Sequence, residues 1–175
     1  SIFLPAVSHD GIRLPIAEIA SEIRRLDSSV VIVIDGSQAL GQIPIDLSQI
    51  PCDFFFGGCH KWLASHLALG IDFCPNPATT STAGRAVSGD PIAAVLQGME
   101  SRRPGRFTET VNLSPLFSSR GALEDQLAGE TQAARFRHRR AIAEMVVRIG
   151  RMTGWTPLVP SEDFRSAAIL LQATS

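Results

Sequence analysis

The sequence predicts an α/β fold organised on a mainly parallel sheet, and three observations lead there. Short apolar runs at residues 2–7, 30–34 and 54–56 are bounded by turn residues, the pattern of strands buried on both faces. An amphipathic helical period separates the first run from the second, giving the strand–helix–strand order of a parallel sheet with right-handed crossovers. The second and third runs end in residues that can do chemistry, Asp35 on one and Gly57, Gly58, Cys59, His60 and Lys61 on the other. Open α/β sheets place their ligands beyond the carboxyl ends of such strands, so Asp35 and Lys61 are expected on one rim, on neighbouring strands.

Taken in order, residues 2–7 form a strand interrupted by Pro5, and Ser8, His9, Asp10 and Gly11 form the loop after it. Pro15 suits the first turn of a helix. Ile16, Ile19, Ala20 and Ile23 then share one apolar face, with Glu18 early and Arg24 and Arg25 late, as the helix dipole prefers. The strand at 30–34 is followed by a turn and short helix around Ser37–Leu40, then by the strand at 54–56. The next apolar stretch, 67–74, follows Lys61 too closely for a parallel crossover and is expected to run antiparallel. Residues 75–89 and 98–110 have loop composition, with a short helix expected over 92–97. Ser114-Pro115 is an N-cap and first-turn pair for a helix through Leu127. A longer helix follows, with Ile142, Met145, Val146 and Ile149 on one face and its end at Gly154, and residues 167–171 offer a last strand.

Composition narrows the function. The 175 residues suffice for one compact domain, and 45% apolar content is ample for a core. A net charge of −1 gives no electrostatic reason to expect nucleic acid or a membrane surface. The cluster Arg135, Arg137, His138, Arg139, Arg140 lacks aromatic interleaving and reads as a solvated helix face. No apolar run has the length of a membrane span, and the first residues lack the pattern of a signal peptide. Cys52, Cys59 and Cys74 are odd in number and without metal-ligand spacing, so reduced thiols in a cytoplasm are expected, and no metal site.

Lys61 is the only lysine; the other 15 of the 16 basic residues are arginines. Where a fixed positive charge suffices, this chain uses Arg. Guanidinium stays protonated and is a poor nucleophile, whereas a Lys amine can lose its proton and attack a carbonyl. An acid at one strand end and such an amine at the next suit pyridoxal phosphate, the amine forming an imine with its aldehyde and the carboxylate keeping the ring nitrogen protonated; on these two residues alone, a surface Lys and a strand-end Asp that caps a helix is the other reading.

The block DGSQALGQIPIDL followed by CDFFFGGCHKWL resembles the class V aminotransferase family of fold-type I pyridoxal-phosphate enzymes, which includes cysteine desulfurases and isopenicillin N epimerase-like proteins. Asp35, Gln38 and Gly41 meet its Asp-x-x-Gln-x-x-Gly pattern, and His60-Lys61 meets its His-Lys pair. The flanks VSHDGIRLPIAEI and TVNLSPLFSSRGALE resemble the segments before and after that block. The resemblance implies the large domain of a three-layer αβα transferase over residues 1–150, mainly parallel with one antiparallel strand, and the beginning of a small α+β domain over 151–175. It implies a Lys61 aldimine with pyridoxal 5′-phosphate, an amino-acid substrate, and Lys61 shuttling the Cα proton. It gives Asp35 to the pyridinium, Gln38 to the ring phenolate, His60 to the phosphate, Ser8 or His9 to the ring or substrate, and Thr110 to the phosphate of the other subunit of a homodimer. Gly58 stands where a phosphate-binding polar side chain is common, and Glu109 where a Gly usually precedes the Thr.

Transamination, racemisation, β-elimination and desulfurisation share this machinery, so the reaction stays open. The resemblance also implies a longer whole, with the phosphate-cradling helix and the carboxylate-binding Arg outside these residues, supplied by flanking sequence or a complementing chain. Two other classes stay open: a partner that keeps the fold without the activity, and a phosphoacceptor signalling domain, for which only Asp10 is at hand to hold Mg²⁺.

Overall fold

The structure, a computed structural model, describes residues 1–75 and 112–174. The expected helix at 92–97 and the loops from residue 76 to 110 lie outside the described residues. Four strands form one sheet in the order β1-β2-β3-β4: β1 Ile2–Pro5, β2 Ile32–Asp35, β3 Phe54–Gly58 and β4 Gly70–Phe73. The first three run parallel and β4 runs antiparallel to β3, as the short connection after Lys61 requires.

The side chains of β2 and β3 explain why this sheet is central. Ile32, Ile34 and Phe55 bury themselves on one face, against Ile16 and Ala20 of α1 (Ile16–Leu26). Val33 and Phe54 are buried on the other face with Phe56 and Cys74. Burying each such side chain on folding is worth about 1.5–3 kcal/mol, so a strand with no polar face is stable only between two layers.

The expected helix around Ser37–Leu40 is a turn. Leu40 N donates to Gly36 O at 2.7 Å, Gln42 N to Ala39 O at 2.9 Å and Ile43 N to the same carbonyl at 3.1 Å, and no regular helix forms. Gly41 reverses the chain at φ +81°, where a Cβ would lie 2.8 Å from Leu63 Cδ2. That reversal lets the segment after β2 pack against the segment that follows Lys61.

At the opposite end of the sheet, Asp53 is 1% exposed at the entry to β3. Its Oδ2 accepts from Ile32 N at 2.7 Å and from the Arg24 guanidinium. Arg24 also donates to Val30 O, and to Pro51 O and Ser28 O, each of these last two at 3.2 Å. Beyond its place near the α1 C-terminus, Arg24 therefore ties α1 to the entries of β2 and β3.

After the undescribed stretch come α2 (Ser114–Ala128) and α3 (Gln132–Met152). The N-cap of α2 is Leu113 rather than Ser114, whose own N–H is taken by Asn112 Oδ1 at 3.0 Å. Thr131 caps α3, its hydroxyl accepting from Ala134 N at 3.3 Å. The apolar face expected on α3 does not face the core. Ile142, Met145, Val146 and Ile149 are 37–52% exposed, while the small residues Ala143, Val147 and Gly150 are buried. Small side chains let the helix approach closely: a Cβ on Gly150 would meet Leu171 at 3.1 Å. The last strand lies at Leu171–Ala173 (β6) rather than 167–171, and pairs antiparallel with β5, Trp155–Pro157, which is too short to show a period in sequence. Among the described residues, no helix is long and apolar enough to cross a membrane.

Candidate active site at the ends of β2 and β3

Asp35 is the last residue of β2 and stands in register with Phe56 on β3 and Pro5 on β1. Ala6 N donates to Asp35 O at 2.8 Å, which holds the loop after β1 on the same rim. The Asp35 carboxylate is half-buried. Its Oδ1 accepts from Ser37 N at 2.8 Å, and no described residue bonds its Oδ2.

β3 continues through Gly58 into a closed loop. Cys59 N donates to Leu69 O and Ser65 N to Cys59 O, both at 2.9 Å. Ala64 turns at φ +62° while its N–H reaches Lys61 O at 3.2 Å. This loop presents His60 and Lys61 to solvent at the rim that carries Asp35. The Lys61 amine makes no hydrogen bond or ion pair among the described residues. The His60 ring lies over Gly58, where a Cβ would be 3.0 Å from Cε1 and 3.2 Å from Nδ1. The imidazole therefore occupies the space that a side chain at position 58 would take.

Gln38 is half-buried in the turn after Asp35, and its Oε1 accepts from Trp62 Nε1 at 3.1 Å. Trp62 is held in turn by α3. The Arg139 guanidinium carbon lies 5.7 Å from the centroid of the indole, and Arg139 Nη2 donates to Trp62 O at 3.0 Å. Burial lowers the Arg139 pKa, and the neighbouring Arg135 lowers it further. Gln126 of α2 donates to Leu63 O. The basic cluster of α3 is thus divided: Arg137, His138 and Arg140 are exposed, whereas Arg135 and Arg139 are half-buried and reach backbone carbonyls.

Ser8 and His9 lie in the loop after β1. Ser8 Oγ accepts from Ile12 N at 3.1 Å, closing the loop on itself. His9 is exposed and pairs with Asp10 at 3.1 Å. Thr110 and its neighbour Glu109 lie outside the described residues. Cys59 is wholly buried, and burial pushes the Cys52 thiol up to about 11.

The rim therefore brings Asp35, Gln38, His60 and Lys61 together on two adjacent connections, with Ser8 and His9 on the next. Sequence reasoning missed Trp62 and Arg139. A donor-only indole immediately after the lysine was a signal for the first, and the second needs tertiary contacts to be seen. A cavity of about 470 Å³ lies elsewhere, between α3 and residues 162–167, and includes Gln42 among its walls. The Gln42 amide is buried with no partner among the described residues. None of the rim residues lines that cavity.

The sequence profile of the aminotransferase class-V family matches residues 2–169. Isopenicillin N epimerase of Streptomyces clavuligerus is 43% identical over 69 residues, which is 39% of this chain and 17% of that protein. Hercynylcysteine sulfoxide lyase of Schizosaccharomyces pombe is 45% identical over 43 residues, 25% of this chain and 11% of that protein. Among solved structures, alanine–glyoxylate aminotransferase from Nostoc sp. superposes with a TM-score of 0.77 at 16% identity, covering 97% of this chain and 45% of its own. C-DES, in a mutant with glycine covalently linked to its PLP cofactor, gives a TM-score of 0.75 at 19% identity, covering 99% of this chain and 47% of its own. The chain thus spans less than half the length of either solved structure. The four-stranded sheet is part of the fold-type I architecture, and the chain belongs to the aminotransferase class-V family, whose members are pyridoxal-phosphate-dependent enzymes.

Proposed function

We propose that this chain carries the lysine-bearing part of a pyridoxal-phosphate enzyme that acts on an amino acid by moving its Cα proton. One observation carries the reading: the sole lysine is exposed at the rim of the sheet without a partner among the described residues, next to a strand that ends in a carboxylate of which one oxygen has no described donor. The residues present fit the group. Among the described residues, an amine without a partner, a carboxylate oxygen without a donor and an amide with its N–H₂ end unbonded are the three valences that an aldehyde, a pyridinium and a phenolate require.

The cofactor supplies an electron sink for the charge that develops when a substrate bond at Cα breaks. The chain's residues do the rest. Lys61 Nζ would hold the cofactor at its aldehyde carbon and, once the substrate's amine has displaced it there, would be the free amine that accepts and returns the Cα proton. Asp35 holds a proton on the ring nitrogen through charge attraction, the condition for the sink to work. Gln38 Nε2 donates to the phenolate oxygen. His60, whose ring stands where a side chain at 58 would otherwise lie, would hold the phosphate, with Thr110 of a second subunit joining it in a homodimer. Ser8 or His9 borders the ring or substrate. The buried Cys59 takes no part. Three free cysteines support a cytoplasmic setting.

The test is borohydride reduction of the cofactor-loaded protein in its natural assembly, followed by peptide mapping. The label is expected on Lys61 and is expected to vanish in Lys61→Arg, because guanidinium does not replace the amine. A label on another residue, or one that survives in Lys61→Arg, overturns the assignment.

A further inference from the structure

We propose that Trp62 is a positioning residue: its indole N–H fixes which end of the Gln38 amide faces the cofactor, and Arg139 on α3 fixes the indole. The inference rests on the reading that Gln38 donates to the ring phenolate.

A glutamine amide has one acceptor end and one donor end, and a half-turn about its last torsion exchanges them. Toward a phenolate the two orientations have opposite signs. Nε2–H₂ donates to the anion, whereas Oε1 places lone pairs against it. A free amide samples both. Trp62 removes the choice, because an indole Nε1–H is a donor with no acceptor capacity. At 3.1 Å from Gln38 it accepts only the arrangement with Oε1 toward the indole. The geometry of a planar amide then directs Nε2 away from Trp62, and no described residue bonds it. The donor end is thereby kept free for the phenolate.

The indole does not move freely either. Arg139 lies 5.7 Å from its ring centroid and bonds its carbonyl at 3.0 Å, so face and backbone are both held by one guanidinium. Gln126 of α2 holds the carbonyl of the next residue, Leu63. The turn that carries Gln38 is pinned independently by the Gly41 reversal against Leu63. The contact is thus built from both sides, with α3 as its outer support. Displacing α3 would loosen the indole first and the amide second, so the phenolate environment responds to the position of that helix.

The experiment uses the assembled, cofactor-loaded protein. Trp62 is replaced by β-(3-benzothienyl)alanine, which keeps the size and the aromatic face but has sulfur in place of N–H. The readout is the pH midpoint of the bound cofactor's visible absorbance. A donor to the phenolate stabilises its anionic form, so losing a fixed donor raises the midpoint. An upward shift of about half a pH unit is expected, the size of one modest hydrogen bond. Gln38→Leu should raise it at least as far, and the double variant no further, because Trp62 acts through Gln38. If Gln38→Leu shifts the midpoint and the Trp62 replacement does not, the positioning role is overturned while the Gln38 reading stands. If Gln38→Leu leaves the midpoint unchanged, the Gln38 reading fails and takes the proposal with it. A second measurement needs no cofactor chemistry. The chain has two tryptophans, and Trp155 is 44% exposed. The Trp62 indole proton should exchange with solvent about tenfold more slowly than that of Trp155, or slower still. Equal rates overturn the contact itself.

Discussion

The two ends of β2 and β3 each bring together an acid and a base, under opposite conditions. At the entry, Asp53 is 1% exposed and Arg24 closes on it. Asp53 Oδ2 also accepts from Ile32 N–H, and each of the three Arg24 nitrogens has an acceptor, Asp53 for one and the carbonyls of Ser28, Val30 and Pro51 for the others. At the exit, Asp35 uses one oxygen on Ser37 N–H, and Lys61 stands in solvent with no described partner. A charge pair taken out of water is tolerated only when its remaining valences are filled, and the forked guanidinium fills several at once. A pair meant to react must keep valences empty. The choice of residue follows the same line, with Arg at the closed end and the single Lys at the open rim, where the proposed function needs an amine that can release its proton.

Substitutions at each end should separate the two roles. The largest effect is expected from Asp35→Asn. Asn keeps the size and the bond to Ser37 N–H, so fold and cofactor binding should persist. Loss of the charge that holds the ring proton should slow substrate Cα-proton exchange by roughly two orders of magnitude or more. Exchange with deuterium, followed by NMR, measures it, and a near-normal rate would reduce Asp35 to a turn cap.

Asp53→Ala should do the reverse. It strips Ile32 N–H and Arg24 of their acceptor at a buried position, at a cost of about 3 kcal/mol in stability. Denaturant midpoints of the assembled protein give the change, and exchange per folded molecule should hold steady. A stability change within about 0.5 kcal/mol would mean that the two ends do not differ in the way described.

A smaller effect sharpens the comparison. Arg24→Lys keeps the charge but loses the fork, so one ammonium must choose among the acceptors that Arg24 now shares. A loss of about 1–2 kcal/mol is expected, between wild type and Asp53→Ala. If Lys proves as good as Arg, charge alone holds that end, and the absence of other lysines has a different origin.

The four strands of the main sheet, the antiparallel turn-back and the Asp35–Lys61 rim were legible in sequence because they rest on local signals: apolar runs, a connection too short for a parallel crossover, and one lysine among arginines. Arg24 and Asp53 were not, since they lie 29 residues apart and meet only when α1 packs beside β3. The outward face of α3 was misread for a related reason. Periodicity ranks residues by hydropathy, whereas close helix packing here selects small ones, Ala143, Val147 and Gly150. Gly58 looked like a missing phosphate ligand. Only the fold shows that the His60 ring lies over it.

The exposed turn at Lys61 has a practical side. Within these 175 residues it carries the one side-chain amine, so acylating or cross-linking reagents aimed at amines have a single internal address. A protease that cuts only after lysine has one internal bond to open, between Lys61 and Trp62, and the cut divides the sequence into pieces of unequal size. Occupation of the amine by an aldehyde would protect that bond and blunt those reagents together. Bioconjugation and limited digestion thus become a gauge of how full the rim is, in samples too dilute or too coloured for a spectrum.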